Sequence, residues 1–485
     1  MILQFLLVPI VLKLSGQEVL GVYSFLLQII GWAALSDLGF GVSTTRNLSQ
    51  SHGIKDNHQE FTKVFTTGRT FFLFSNGLFS LVVFIIGFNI ESFITMSSNL
   101  IIVTKISMYI LALWIVIRTP ISLYGEGLIA SQNIAAFNII NIITSILRLF
   151  LSLLFILLKM GLIGLILAYI ISELVTLSLQ KKKYYKLFPN DKILWGIPDK
   201  NLFKHMFGFG LTFMIMSIAS KLSSSSDSII LGNILGATAV SIYYVSQMPG
   251  TVLYQLIWKI TDNSAPALNE LYFQENKIQF NVAYLKIFRY SLLLTAPLGI
   301  GLITFNKKFI IIWAGIDHYA GTIFTIALTF YAFTQVFIHL NAIVFVAMGN
   351  IKAMSIVTII LSITKVVMSY FFINKLGIKG LMIINAILDL PILFILQYMA
   401  IKKMQISILN FIINVINPVF KSNIMLIILS FMILSFTINT SIFSLAFEIV
   451  FFILVSITSI FIFGINQAER KQLTSMTSII IYSKN

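Results

Sequence analysis

Long apolar runs alternate with short polar connections along the whole chain. In the first part the runs cover residues 1–14, 19–42, 64–88, 100–123, 134–158 and 161–179. They resume at 207–235, 239–260, 280–305, 320–348, 351–373 and 378–400, and finish with 423–438 and 442–463. A helix needs roughly 20 apolar residues to cross the hydrocarbon of a bilayer, and most of these runs reach that length. The alternating ten-residue segments of a transmembrane barrel are not seen. The pattern predicts an all-α polytopic membrane protein with about 14 transmembrane helices.

The polar positions inside two of these runs follow one rule. Asn138, Asn141, Ser145, Arg148 and Ser152 recur at spacing 3, 4, 3, 4, and so do Ser355, Thr358, Ser362, Lys365 and Ser369, 217 residues further on. On a helix each set shares one face. The likeness extends on both sides of the stripes. Residues 130–134 (ASQNI) align with 347–351 (AMGNI), 159–165 (KMGLIGL) with 375–381 (KLGIKGL), and 16–23 (GQEVLGVY) with 236–243 (GATAVSIY). In the next helices Glu173 falls opposite Asp389. Six spans per repeat preserve orientation, so the halves are parallel repeats about an axis along the membrane normal. The expected architecture is two pseudo-symmetric six-helix lobes around a central cavity, plus two C-terminal helices. It divides into an N-lobe at 1–180, a basic linker at 181–204, a C-lobe at 205–404 and a C-terminal part at 405–485.

Composition agrees with membrane insertion. Hydrophobic residues make up 58% and charged ones 10%, where a soluble domain carries roughly 25% charged. Lys plus Arg number 33 against 17 Asp plus Glu. With the amino terminus in the cytoplasm, Lys181, Lys182, Lys183, Lys186, Lys402, Lys403, Arg470 and Lys471 all fall inside. That bias orients the chain, and an even span count puts both termini in the cytoplasm. Anionic lipid headgroups account for the basic linker better than nucleic acid does. With no cysteine, disulfides and thiolate chemistry are excluded. No Gly-rich phosphate loop, no His pair with metal spacing and no nucleophile with its base is present, so neither catalytic nor metal residues are expected.

Residues 14–23 (LSGQEVLGVY), 36–41 (SDLGFG) and 46–49 (RNLS), in this order and spacing, resemble the polysaccharide-export branch of the MATE-like, or MOP, superfamily. Its Wzx-type flippases of lipid-linked oligosaccharides are the nearest likeness, over residues 1–404. The resemblance implies a two-lobed transporter of the bacterial inner membrane, moving undecaprenyl-pyrophosphate-linked sugar units such as O-antigen repeats outward by alternating access. Polysaccharide polymerase and chain-length proteins would be its partners. It also implies more chain before the short run at 1–14, and a groove for the lipid tail along spans 13 and 14. A lipid II flippase and a cation-coupled drug antiporter of the same fold are the alternatives.

A cation at bilayer depth costs about 2.5–3.5 kcal/mol on insertion scales, so it faces protein or water. Arg148 and Lys365 are expected to line a hydrated cavity, with Asn138, Asn141, Ser145, Ser355, Thr358 and Ser362, and to attract the anionic head of the substrate. Structural pairing with Glu173 and Asp389 is the alternative. Lys221, among Ser220, Ser223, Ser224, Ser225 and Ser226, is a third candidate cation. Asp37, Glu173, Asp227 and Asp389 are candidates for proton or sodium coupling; no other cofactor is expected. Arg69, near the end of its span, is expected to snorkel to the interface, while Arg118 and Glu126 stay open to either reading. His339, beside Gln335 and Asn341, is read mainly as a hydrogen-bonded intramembrane histidine.

Overall fold

The fold was obtained as a computed structural model, which describes residues 2–33, 41, 43–45, 47–48, 58–188, 198–274, 276–349, 351–436 and 441–471. The described residues form helices joined by short turns, and fourteen of these helices are long. In order they are α1 (Ile2–Ser15), α2 (Gln17–Ala33), α3 (His58–Phe88), α4 (Ser98–Ala130), α5 (Ile134–Leu157), α6 (Gly161–Leu187), α7 (Lys200–Ile234) and α8 (Gly236–Asp262). A short α9 (Ala265–Phe273) precedes α10 (Lys277–Ala314) and α11 (Thr322–Ala347). The helical run Ile351–Met404 breaks at Gly377 (φ 61°, ψ −153°) into α12 (351–376) and α13 (378–404). A π turn at Ile412–Ile416 leads into α14 (Asn417–Phe436), and α15 (Ile442–Ser459) ends in another at Ile460–Gly464. Nine described helical runs, the broken one counted once, are long and apolar enough to cross a membrane.

The repeat seen in the sequence is present in the backbone. Gly16 (φ 91°) and Gly236 (φ 81°) open α2 and α8 in the left-handed region. Gln132 (φ 59°) and Gly349 (φ 65°) turn the chain before α5 and α12, and Gly161 (φ 53°) and Gly377 (φ 61°) turn it before α6 and α13. Each pair occupies aligned positions. A left-handed residue makes the sharp reversal two antiparallel helices need, and glycine takes that conformation without the Cβ clash other residues meet. Matching 3₁₀ turns follow α3 at Ile90–Ser92 and α10 at Ile316–His318.

On α5 and α12 burial runs opposite to that of a soluble protein. On α12 Ile356, Ile360, Ile363, Val367 and Phe371 are exposed, while Ser355, Ser362, Lys365 and Ser369 are buried. On α5 Ile139, Ile142, Ile146 and Phe150 are exposed, and Thr144 and Ser152 are buried. Lipid tails are as apolar as these side chains, so nothing drives them inward; polar and small residues fill the helix contacts instead. At the start of α8 the backbone passes so close to α2 that a Cβ on Gly21 would stand 1.8 Å from the Ala237 carbonyl oxygen.

The chain divides into two compact units, one of Met1–Tyr244 with Ser355–Gly377, the other of Val245–Met354 with Ile378–Asn485. The first unit takes in α7, the start of α8 and most of α12, beyond the N-lobe expected at 1–180. Both ends of the expected basic linker are helical: Lys181, Lys182, Lys183 and Lys186 extend α6, and Lys200 and Lys204 open α7. Hydropathy ends the apolar run at 179, but the helix hydrogen-bond ladder continues past it because lysine is a good helix former.

Candidate functional site

Three helices of the first unit bring the principal charges together. On α5, Arg148 is half-buried; its Nε donates to Ser172 Oγ on α6 at 2.9 Å, and its guanidinium lies 4.7 Å from the centre of the Tyr169 ring. Ser172 Oγ in turn donates to the Tyr169 carbonyl at 2.8 Å, which fixes the acceptor. Among the described residues Arg148 makes no ion pair, and its two terminal nitrogens have no protein hydrogen-bond partner. Glu173 is one residue from that anchor, yet it pairs elsewhere. Its carboxylate accepts from Arg118 Nη1 at 2.7 Å and from Trp114 Nε1 at 2.9 Å, both on α4. The pairing of Arg148 with Glu173 considered from the sequence is therefore not formed: successive residues on α6 point to different neighbours, and Arg118 takes the acid.

The rest of the first stripe is less enclosed. Asn138 and Ser145 are exposed, Asn141 is half-buried with its side-chain oxygen 3.5 Å from Gln180 Nε2, and Ser152 is buried. Ser145 Oγ donates to the Asn141 carbonyl at 2.6 Å. The second stripe is deeper. Lys365 is 2% exposed, Ser355, Ser362 and Ser369 are buried with it, and half-buried Thr358 donates to the Ser355 carbonyl at 3.1 Å. The two aligned cations thus differ in surroundings, Arg148 reachable and Lys365 enclosed.

On α7, Lys221 is half-buried, its ammonium 3.5 Å from where a Cβ on Gly31 of α2 would stand. Ser225, Ser226, Asp227 and Ser228 are buried, and Asp227 accepts from the Tyr243 hydroxyl. The side chains of Ser220, Ser223 and Ser224, and Asp37 altogether, lie outside the described residues. Arg69 does not snorkel. It is 6% exposed and lies beside Tyr124, whose hydroxyl meets that of Tyr185 at 2.9 Å. An aromatic cluster of Phe65, Tyr124 and Tyr184 encloses this end of α3 and gives the guanidinium a buried partner. Glu126 accepts from Thr45 Oγ1 at 2.6 Å.

In the second unit Asp389 of α13 is wholly buried and accepts from Gln335 Nε2 of α11 at 2.7 Å. Gln335 lies 217 positions after Arg118, and Asp389 lies 216 after Glu173. The same helices in each half therefore make the same acid-to-donor contact, once with a cation and once with an amide. Sequence reading missed Trp114 and the Gln335 contact; the repeat offset was the signal, since it sets Arg118 opposite Gln335. His339 is hydrogen-bonded as expected, its Nε2 2.8 Å from Asp262 Oδ1 and its ring stacked 4.4 Å from that of Trp258.

The same unit holds an apolar groove of about 450 Å³ between α8, α10 and α15, lined by Leu253, Leu298, Phe305, Ile449, Phe452 and Ile453 among others. Lys308 of α10 binds Glu448 of α15 at 2.9 Å near one end, and Arg289 of α10 binds Glu469 near the other. One ion pair thus ties α15 to α10, and the other ties the segment after it to α10.

Residues 1–271 match a family model described as "Polysaccharide biosynthesis protein". A Shigella flexneri protein named "Putative O-antigen transporter" is 28% identical over 392 residues, which is 77% of this chain and 88% of that one. Among solved structures, the lipid II flippase MurJ in an inward closed conformation aligns with TM-score 0.69 and 18% identity, over 95% of this chain and 96% of that one. An inward-facing multidrug resistance MATE family transporter of the MOP superfamily aligns with TM-score 0.66 and 16% identity, over 83% of this chain and 95% of the other.

Proposed function

Since this multi-pass membrane chain belongs to the polysaccharide biosynthesis protein family, we propose that it is a flippase for a polyprenyl-pyrophosphate-linked oligosaccharide such as an O-antigen repeat unit. Transport would run by alternating access across the bacterial inner membrane, with both chain termini cytoplasmic. The observation that carries the reading is Arg148: its Nε is anchored on Ser172, and both terminal nitrogens remain available for phosphate oxygens. A guanidinium presents those donors as a planar fork that matches a phosphate. Lys365 and Lys221 add positive charge, with Asn138, Asn141, Ser145, Ser355, Thr358 and Ser362 as polar lining. The apolar groove against α15 suits the polyprenyl tail, since no described ionisable group lines it.

Coupling to a proton or sodium gradient through Asp37, Glu173, Asp227 or Asp389 belongs to the same proposal, as does work alongside a polysaccharide polymerase and chain-length proteins. A drug antiporter for organic cations is disfavoured by an available arginine on the stripe. A lipid II flippase keeps every feature of the proposed site and differs only in the sugar.

Disrupting the gene and analysing surface polysaccharide and lipid-linked intermediates tests the reading. Loss of polymer with lipid-linked units retained on the cytoplasmic side is the expected result. Normal polymer with altered drug tolerance would overturn it, and arrest of peptidoglycan synthesis would move the assignment to lipid II.

A further inference from the structure

The second unit carries a recess of about 540 Å³. Its walls are Tyr272 of α9, Lys277, Phe280 and Asn281 of α10, and Lys403 and Gln405 at the close of α13. The backbone shapes it. Helix α13 stops where Gln405 takes φ 57°, so that the Gln405 N–H donates to the Lys402 carbonyl at 3.2 Å and Ile406 N–H to that of Ile401 at 3.1 Å. Asn281 Nδ2 donates to the Met404 carbonyl at 3.1 Å and holds α10 against this stop. The Tyr272 ring packs 5.7 Å from that of Phe280 and forms an apolar side wall.

Among the described residues the charges here are unbalanced. Lys403 sits in the last turn of α13, where a cation complements the helix dipole, but Lys277 opens α10, where the dipole disfavours one. Among the described residues neither lysine makes an ion pair or a hydrogen bond, whereas Lys105 and Lys308 both hold carboxylates. Glu270, the described acid on α9, accepts instead from Gln274 at 2.9 Å. Two ammonium groups line one half-polar recess, and an anion relieves both. The chain beside the recess is apolar and exposed: Ile278 follows Lys277 at 79% exposure, and Ile408 and Leu409 follow Gln405 at 58% and 65%. A basic floor with an apolar rim is complementary to an amphiphile rather than to a soluble anion.

We infer that this recess holds the phosphate-bearing headgroup of an anionic phospholipid from the leaflet it borders, with Lys277 and Lys403 on the phosphate. The lipid is a resident ligand and not the transported one, so the site stands apart from the flippase reading. The full chain, purified in detergent, is titrated with phosphatidylglycerol, phosphatidylcholine or inorganic phosphate, and bound lipid is counted by native mass spectrometry. The double variant K277A/K403A is expected to lose about tenfold or more in phosphatidylglycerol affinity, given roughly tenfold attraction per two or fewer basic residues at a membrane surface. K277R/K403R should retain it, and K307A, which removes an exposed lysine elsewhere on α10, should bind as wild type does. Equal binding by wild type and the alanine pair overturns the site, as does equal affinity for phosphatidylcholine. Loss in the arginine pair to the same extent overturns charge recognition. Displacement of the lipid by millimolar inorganic phosphate makes a free anion the ligand and overturns the lipid assignment.

Discussion

At the scale of single residues, Arg148 and Glu173 divide two tasks that the sequence alone leaves merged. The acid satisfies Arg118 and Trp114, and among the described residues the cation of the stripe makes no ion pair. Arg148→Ala is expected to reduce polysaccharide export by tenfold or more while protein abundance in the membrane stays near wild type; export assays with immunoblotting measure both. Arg148→Lys should recover only part of that loss, because one ammonium cannot offer the paired donors of a guanidinium. Full activity of the alanine variant would remove Arg148 from the site. Lys365, enclosed where Arg148 is open, is expected to respond differently: Lys365→Ala should lower both export and accumulation, since a buried polar cluster with Ser362 and Ser369 loses its charge. A variant that accumulates normally and exports normally would leave Lys365 with no role in either.

Among the elements, the repeat is a set of hinges as much as a set of helices. Gln132 holds φ 59° where its counterpart Gly349 holds φ 65°. A non-glycine residue in that region is strained by about 1–2 kcal/mol, so Gln132→Gly should raise the thermal midpoint in detergent. Gly349→Ala should lower stability by about 1 kcal/mol at the aligned turn. Opposite signs at aligned positions are the expected outcome, and equal signs would mean that the two turns do not carry the same constraint. The Arg118–Glu173 and Gln335–Asp389 contacts show that the repeat reaches tertiary packing too. The stripes and the offset were visible in sequence because a helix maps spacing directly onto a face. Which partner Glu173 takes was not, because Arg118 and Arg148 are both within a helix or two of it in the chain and only rotation about the helix axes decides between them.

For the molecule as a whole, the absence of cysteine is an experimental advantage. Single cysteines at positions 182 and 471 should resist a membrane-impermeant maleimide in intact cells, and one at position 375 should label. The reverse pattern would invert the orientation and with it the direction of transport. The groove against α15 also has a direct check. Leu298→Trp adds bulk to its wall, and export should fall severalfold with abundance unchanged if the polyprenyl tail lies there. Unchanged export would place the tail elsewhere.

The sequence by itself determined the class of protein, the helix count and the duplication, because hydropathy over twenty residues and a polar face at helical spacing are local properties that survive any packing. It also marked Arg148 and Lys365 as residues kept in apolar helices against an insertion cost. Tertiary structure decided what local pattern cannot encode: that Arg69 is buried beside Tyr124, that Glu173 belongs to Arg118, and that Lys308 ties α15 to α10. Those outcomes depend on which helices become neighbours and how each is turned, and in a bilayer that is settled by close packing and polar contacts rather than by the hydrophobic pattern.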